Sequence, residues 1–375
     1  MRAILPAIPI RLEKRTDRTP RWVLAATPAG AFLFAFVVVT IVLLAGGHDP
    51  LQTYSAMLQA SVASPSAISQ TLVSATPLLL TGLAAAVAFR MGIWNIGGEG
   101  QLYIGAVCAS GVALAIGAHG IGLALPAMIL AAMIGGALWA AIPGLLRAYL
   151  NASEILTSLM LNYVAGLLLD WLINDSNSYW RDTSGISAYL VAHGKTIPGA
   201  ADWPVIGSGS FTVPFGFLVG LVLAALLFVV VRHTWLGYQL RVTADNPGVG
   251  RYAGMASKRN FVIVMLLSGA VAAIAGASQV GDFTHILDPT GLQSPQYGYT
   301  GIVVAALGRY NPLAVVISAL LLGAITNAGI NVQSATFPQS LTGVIEGVIL
   351  FCVLGSEILS RYRVRVGWEK VAVAA

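Results

Sequence analysis

Two carboxylates, Glu99 and Glu346, lie inside long apolar stretches of the sequence. Glu99 stands in "GIWNIGGEGQLYIGA", where Gly97, Gly98 and Gly100 flank it. Ionisable groups at membrane depth are costly and usually face a bundle interior or a water-filled cavity. The glycines permit either an unwound turn or a very close approach of two helices. We therefore predict a break that faces a polar pathway, or alternatively a carboxylate that anchors the backbone amides or hydroxyls of a neighbouring helix.

Amide and phenol side chains accompany these carboxylates. Tyr297 opens "YGYTGIVVAALG", a segment that loosely parallels "NIGGEGQLYIGA" and gives weak support for an internal repeat. Intramembrane amides often only hydrogen-bond neighbouring helices, and that structural interpretation stays open for each of them. The residues predicted to line a substrate pathway are Asn95, Glu99, Gln101, Asn162, Tyr297, Asn327 and Glu346, with Asn331 as a weaker companion.

The sequence lacks the patterns of an enzyme or a metal site. It contains no H-E-x-x-H, no G-x-S-x-G and no cluster of His, Cys and carboxylate residues. The stretch "HGKT" resembles the end of a phosphate-binding loop, but Tyr189 stands where that loop needs its first glycine. Cys108 and Cys352 lie in apolar stretches, where thiols act as small hydrophobes. We predict no catalytic residue, no metal ligand and no cofactor bound by this chain.

Composition places the chain in a membrane. Of its 375 residues, 57% are hydrophobic and 9% are charged, whereas soluble domains carry about 25% charged residues. Stretches of about 20 apolar residues can each cross a hydrocarbon core about 30 Å thick. Strand-length alternation is absent, which favours helices over a barrel. The predicted fold is all-α and polytopic, with about ten transmembrane helices at 22–45, 67–90, 92–118, 121–146, 154–173, 213–231, 260–280, 297–308, 312–332 and 339–358, the eighth being short and broken or re-entrant.

Positive charge predicts the orientation. If the N-terminus is cytoplasmic, all of the 20 Lys and Arg residues except Arg181 and Lys195 fall on the cytoplasmic side. The positive-inside rule then predicts that both termini are cytoplasmic. The domains are a basic arm at 1–21, a single transmembrane domain at 22–358 and a tail at 359–375. The net charge of +5 is this topology signal and does not require nucleic acid as a partner.

Two extramembrane segments are long enough to bind a partner. The outer loop, 174–212, either docks an external protein or caps the bundle. The inner segment, 232–259, contains Asn246 as a helix N-cap, Pro247 at the first helical position and Gly254 at the C-terminal end. A short helix at about 247–253 is expected, suited to contact another protein through its basic flanks, Tyr252 and Met255. An interfacial helix resting on lipid headgroups is the alternative.

Four segments resemble, in order, the signatures of one family. They are "FRMGIWNIGGEGQLYIGA", like F-N-I-G-x-E-G-Q; "NASEILTSLMLNYVA", like N-E-I-x-x-x-L-M-L-N-Y; "GYQLRVTADNPGVGRYAGM", like a coupling segment; and "YGYTGIVVAALGRYNPLA", like G-Y-G-F-D-G-I-A-V-A-L-L-G. From about residue 70 to 355 the chain resembles bacterial ABC-transporter permeases for simple sugars and nucleosides, whose receptors are of the basic-membrane-protein type. It departs from them at Thr300, where the family usually has Asp, and at Thr243 and Asp245.

The resemblance implies a permease subunit of an ATP-binding-cassette importer in the bacterial inner membrane, which moves a nucleoside or simple sugar inward by alternating access. The partners it implies are ABC ATPase subunits that use the ATP, an extracytoplasmic solute-binding protein, and a second permease subunit, identical or distinct. The residues it implies for ATPase coupling are Asp245, Asn246, Pro247, Arg251, Tyr252 and Gly254. The residues alone leave open a proton- or ion-coupled carrier that uses Glu99 and Glu346 as titrating groups.

Overall fold

The structure is a computed structural model that describes residues 10–14, 21–117, 122–184, 192–332, 343–345, 347–349, 351–352, 355 and 362–366. Glu346 and most of the helix predicted at 339–358 lie outside the described residues. The chain divides into two units, one formed by residues 1–54 with 334–375 and the other by residues 55–333.

In the first unit, the two ends of the chain pair through short antiparallel strands. β1 (Ile10–Lys14) hydrogen-bonds β4 (Tyr362–Val366), with Ile10 opposite Val366. The apolar helix α1 (Arg21–Ala45) follows. Helix α2 (Pro50–Val62), of which residues 55–62 belong to the second unit, begins where the Asp49 side chain accepts a hydrogen bond from the amide of Leu51 at 2.9 Å. The two terminal segments are therefore neighbours.

The second unit contains the remaining helices and a small hairpin. Two helices, α6 (Glu154–Asp170) and α10 (Ser257–Ser278), continue into π-helical turns at Trp171–Asp175 and Gln279–Thr284. The elements are α3 (Pro65–Arg90), α4 (Gly98–Ile116), α5 (Ala124–Leu150), α6 (Glu154–Asp170), the hairpin of β2 (Ile206–Ser208) and β3 (Phe211–Val213), α7 (Phe215–His233), α8 (Trp235–Asp245), α9 (Pro247–Tyr252), α10 (Ser257–Ser278), α11 (Pro289–Gln293), α12 (Tyr297–Leu307) and α13 (Pro312–Val332).

Among the described residues, seven helices are long and apolar enough to cross a membrane, or eight if the bent pair Leu33–Ala45 and Pro50–Val62 counts as one span. The seven are α3 to α7, α10 and α13, and each coincides with a predicted span. Of the other three predicted spans, 22–45 corresponds to α1, 297–308 corresponds to the 11-residue α12, and 339–358 lies mostly outside the described residues. The multi-pass helical architecture is confirmed, whereas the count of about ten is not.

The start of the helix predicted at 92–118 is wrong, because α4 begins at Gly98. Residues 91–97 form an irregular connection after α3. Gly92 has a φ of +69°, a left-handed conformation that glycine adopts without a steric penalty. Asn95 Oδ1 then accepts a hydrogen bond from the amide of Gly97 at 2.9 Å. Such local side-chain bonds compete with helix formation, so the apolar stretch stays unwound here.

Helix α10 packs so closely against α4 and α5 that the helix backbones are in contact. A Cβ atom built on Gly276 would lie 2.0 Å from the carbonyl oxygen of Leu102, and one on Gly136 would lie 2.4 Å from the carbonyl oxygen of Gly269. Small residues allow membrane helices to approach this closely and to gain dispersion energy along their backbones. These glycines are not the ones singled out around Glu99 in the sequence, and their close contact fixes the position of α4.

Candidate functional site

Glu99 lies in the first turn of α4, and its carboxylate binds the N-terminus of α12. Oε2 accepts hydrogen bonds from the amides of Gly298 and Tyr299, at 2.5 and 3.3 Å, and Oε1 accepts one from the hydroxyl of Tyr103 at 2.6 Å. The residue is only 2% exposed. The first amides of a helix have no partner within the helix and carry partial positive charge, so a carboxylate stabilises them. These are the contacts of the anchor alternative, and the pathway role of Glu99 stays a prediction.

The helix α12 places this contact deep in the bundle. Its 11 residues rise about 16 Å, roughly half of a hydrocarbon core. Beyond its C-terminal end, the Tyr310 carbonyl accepts a hydrogen bond from Arg90 at 3.4 Å, and Arg90 is the last residue of α3. Glu99 therefore binds a half-helix about half a membrane away from the charged end of α3. The helix break predicted near Glu99 and the short helix predicted at 297–308 therefore meet at the Glu99 carboxylate.

Asn95 and Gln101, near Glu99 in sequence, form a pair of reciprocal amide–amide hydrogen bonds. Asn95 Nδ2 donates to Gln101 Oε1 at 3.1 Å, and Gln101 Nε2 donates to Asn95 Oδ1 at 3.0 Å. Asn95 also donates to Ser268 Oγ at 2.8 Å, and Ser268 donates to the carbonyl of Ala84. Both amides are buried. Because Asn95 uses both N–H donors and both acceptor sites within the protein, it holds α3, α4 and α10 together.

Asn162 on α6 joins the same cluster from the opposite side. Its Oδ1 accepts a hydrogen bond from the amide of Gly100 at 2.9 Å, and its Nδ2 donates to the carbonyl of Ile96 and to the hydroxyl of Tyr299. Asn162 thus satisfies one of the free amides at the start of α4 while Glu99 satisfies those of α12. The structure brings Asn95, Glu99, Gln101 and Asn162 into one hydrogen-bonded region.

Asn327 forms its hydrogen bonds outside this region. Its Nδ2 donates to Ala60 O at 3.0 Å and to Thr71 Oγ1 at 3.1 Å, and Asn331 donates to its Oδ1 at 2.8 Å. These partners belong to α2, α3 and α13, so Asn327 acts as an interhelical tie. Tyr297 is buried next to Gly298, and its carbonyl accepts a hydrogen bond from Thr81 Oγ1 at 3.0 Å. Glu346 lies outside the described residues.

Sequence reasoning missed a polar face on α6 that continues from Asn162 toward the C-terminal end of the helix. Asn162, Gly166 and Asp170 are spaced by four residues and therefore share one face of the helix. Asp170 Oδ1 accepts a hydrogen bond from Gln293 Nε2 at 3.1 Å, and both line a cavity of about 320 Å³ next to α11. The ring of Tyr103 approaches Gly166. The four-residue spacing was present in the sequence, but Asp170 reads there as the end of a span.

A second buried carboxylate, Asp282, was also missed. It lies in the π-helical turn after α10, and it accepts hydrogen bonds from the amides of Phe215 and Gly216, at 3.2 and 2.9 Å, and from Ser278 Oγ at 2.9 Å. Asp282 therefore caps α7 as Glu99 caps α12. Both carboxylates stabilise the positive end of a helix that belongs to a different part of the chain.

The inner segment forms the helix that the sequence predicts. The Asn246 side chain accepts hydrogen bonds from the amides of Gly248 and Val249, at 2.9 and 3.2 Å, and caps α9. Gly254 follows with a φ of +72°. Met255 is buried, so the prediction that it contacts another protein is wrong. Tyr252 is 96% exposed and Val249 is 52% exposed, one helical turn apart. The preceding helix α8 carries the exposed side chains of Trp235 and Tyr238, whose rings stack 5.3 Å apart. Trp and Tyr prefer the membrane–water interface, so this pair suits a membrane surface.

The two tryptophans of the outer loop pack inward. Trp180 Nε1 donates to the carbonyl of Val107 at 3.0 Å, and Trp203 is 2% exposed against Gly281. These side chains cap the bundle. The neighbouring Tyr179 stays 49% exposed, so part of the loop remains accessible to a partner.

Comparison with known proteins agrees with this architecture. Residues 67–354 match the family described as the branched-chain amino acid transport system permease component, and the chain belongs to this family of membrane-spanning transport subunits. The chain is 32% identical to the glucose ABC transporter permease protein TsgB13 of Haloferax volcanii, over 96% of this chain and 95% of that protein. It is 26% identical to the nucleoside ABC transporter permease protein NupB of Lactococcus lactis, over 87% of this chain and 89% of that protein. It is 28% identical to the guanosine ABC transporter permease protein NupP of Bacillus subtilis, over 88% and 92%. The protein is thus a multi-pass ABC permease, and none of these relatives favours the ion-coupled carrier.

Proposed function

We propose that this chain is the transmembrane subunit of an importer in the bacterial inner membrane, which moves a nucleoside or simple sugar inward while separate ATPase subunits hydrolyse ATP. The observation that carries the coupling part is α9, a capped helix between the spans α7 and α10 whose Tyr252 side chain is almost fully exposed. An exposed aromatic side chain next to an arginine is typical of the residues that dominate protein interfaces. Coupling is then a difference in binding free energy between two states of the assembly.

The charge of the α12 end supports an uncharged solute. In transporters with broken helices, the positive N-terminus of a half-helix commonly receives an anionic group of the substrate. Here the Glu99 carboxylate already binds the amides of Gly298 and Tyr299. An anionic solute would meet that carboxylate instead of a free helix end. Nucleosides and simple sugars carry no such charge, and the names of the relatives point to the same two classes.

The polar face of α6 supplies hydrogen-bonding groups of the kind that such solutes need. Asp170 and Gln293 line the cavity of about 320 Å³ with Thr290 and Ser294. Carboxylate, amide and hydroxyl groups bind sugar hydroxyls by directed hydrogen bonds, and a few of them fix the orientation of a ligand. We extend the predicted pathway along α6 to this cavity, and Asp170→Asn is expected to reduce uptake. The control is Asp175→Asn, which removes an exposed carboxylate at the same end of α6.

Reconstitution tests the proposed function. The chain, its ATPase partners, a second permease subunit and the solute-binding protein are placed in liposomes, and uptake is measured with and without internal ATP. Uptake that depends on ATP and on the ATPase subunits supports the proposal. Accumulation by the chain alone from a proton or ion gradient refutes it. A ligand panel of nucleosides and sugars on the solute-binding protein, with thermal stabilisation as the readout, then separates the two substrate classes.

Co-purification tests the coupling helix by itself. Tyr252→Ala and Arg251→Glu are expected to weaken association with the ATPase subunits without changing the fold, because both residues are exposed on α9. Tyr179→Ala is the matched control, since it removes an exposed tyrosine from the outer loop. Unchanged recovery of the ATPase subunits with both α9 variants would assign their docking to another surface.

A further inference from the structure

We propose that a cavity between the charged ends of α3, α7 and α8 binds a phosphate group, which either an anionic lipid headgroup or free phosphate can supply. The cavity has a volume of about 240 Å³, and Arg90, Arg232 and Arg241 line it together with Asn311 and the Phe228 ring. Three guanidinium groups around one cavity are a strong concentration of charge of one sign. The inference does not depend on the transported solute.

The positive charge of this cavity has no carboxylate partner in the described part of the chain. In that part, Arg147 forms an ion pair with Glu154, and His285 Nδ1 lies 3.0 Å from Asp202 Oδ1. Asp245 lies one turn after Arg241 on α8, but it is exposed and forms no ion pair within 4.0 Å with another described residue. Like charges that share a cavity repel each other, and more strongly near a membrane than in water, because the effective dielectric constant is lower. A bound anion converts this repulsion into attraction.

Most of the guanidinium donors are available to a ligand. Arg90 donates one hydrogen bond, to the carbonyl of Tyr310 at 3.4 Å, and Arg241 donates one, to the carbonyl of Gly237 at 3.2 Å. Arg232 lies over the Phe228 ring at 5.5 Å. Each guanidinium has five N–H donors in a planar fork that matches phosphate oxygens bidentately. The fork matches carboxylate oxygens equally well, and of the two anions phosphate is the one that every phospholipid headgroup carries.

The position of the cavity suits a lipid headgroup. Arg90 is the last residue of the span α3, and Arg232 lies in the last turn of the span α7. Span ends reach the headgroup level, and basic pockets between spans on the cytoplasmic side bind anionic headgroups. The exposed Trp235 and Tyr238 pair on α8 marks the same level, because such rings prefer the interface.

Native mass spectrometry of the full chain tests the proposal. Phosphatidylglycerol and the zwitterionic phosphatidylcholine are titrated onto the wild-type protein and the R90Q/R241Q variant. We expect the wild type to prefer phosphatidylglycerol, and the variant to lose about tenfold or more of that affinity, since one charge-assisted hydrogen bond alone is worth this much. Arg259→Gln is the matched control, because Arg259 is exposed at the start of α10 and does not line the cavity. Arg90→Lys keeps the charge but not the fork, and an intermediate loss is expected.

Millimolar inorganic phosphate, added alone and in competition, distinguishes the two sources. Thermal stabilisation by phosphate that disappears in R90Q/R241Q assigns the site to the free anion, whereas phosphatidylglycerol retained against phosphate assigns it to the lipid. The proposal is overturned if neither ligand distinguishes wild type from variant while the variant melts like the wild type. It is also overturned if the variant binds both ligands like the wild type but no longer co-purifies with the ATPase subunits, because the cavity would then be a protein-docking site. If R90Q/R241Q does not fold, the Arg232→Gln variant replaces it.

Discussion

Replacing Glu99 separates its structural contact from any role in transport. Glu99→Gln keeps the size of the side chain but removes the charge that faces the amides of Gly298 and Tyr299 and the hydroxyl of Tyr103. Charge-assisted hydrogen bonds are about twice as strong as neutral ones, and a charge at a helix end contributes up to about 2 kcal/mol. We expect a loss of about 1–3 kcal/mol in the free energy of unfolding. Glu99→Ala leaves three donors without an acceptor in a site that is only 2% exposed, and a loss of roughly 3–6 kcal/mol is expected.

The assay is denaturant unfolding in detergent, followed by tryptophan fluorescence, with uptake measured on the same preparations. The matched control is Asp288→Asn. The Asp288 side chain also caps a helix, through the amides of Thr290 and Gly291 at 3.0 Å, but it is partly exposed, and asparagine caps a helix as well as aspartate does. Its effect should stay below about 0.5 kcal/mol. A Glu99→Gln variant as stable as the wild type would refute the structural role of the charge. If that stable variant also fails to transport, Glu99 acts on the solute and not on the fold.

Three further changes probe other parts of the bundle. Gly276→Ala places a Cβ atom 2.0 Å from the Leu102 carbonyl oxygen. Because the two backbones must separate, we expect the free energy of unfolding to fall by about 1–3 kcal/mol. Thermal melting measures this loss, and Gly199→Ala, at a position with room for a methyl group, is the control. Asn246→Ala removes the cap of α9 and should cost about 1 kcal/mol locally, which hydrogen exchange at residues 248–252 would detect; unchanged protection there would contradict the capping role. Asp282→Asn weakens the buried contact to α7 and should lower the free energy of unfolding by about 1–3 kcal/mol, and a neutral effect in denaturant titration would be inconsistent with it.

Local patterns predicted the elements well. Asn246 and Gly254 mark the two ends of α9 because capping depends only on neighbouring residues. The apolar stretches of α3 to α7, α10 and α13 were long enough to read as spans without any knowledge of their neighbours. The same local chemistry explains the error at α4, since the turn made by Asn95 interrupts a stretch whose hydropathy alone suggests a helix.

The partners of the buried polar groups could not be predicted, because they come from distant parts of the chain. Glu99 and Gly298 are separated by 199 residues, and nothing near either of them in sequence identifies the other. Tyr103 and Tyr299 lie within segments noted for their polar residues, but their hydroxyls gain a role only when α4, α6 and α12 meet. Arg90 was read only as an indicator of membrane orientation. Its shared cavity with Arg232 and Arg241 requires the folded structure.

The backbone contacts of α10 restrict which parts of the permease can move. Where Gly276 meets Leu102 and Gly136 meets Gly269, no layer of side chains separates the helices, so there is no second set of rotamers into which the contact could rearrange. Helices α4, α5 and α10 should therefore travel as one rigid body during a transport cycle. Gly298 on α12 meets the backbone of Glu99 in the same way, so α12 should move with them. The hinge must then lie at contacts made by side chains, such as the hydrogen bond between Asp170 of α6 and Gln293 of α11.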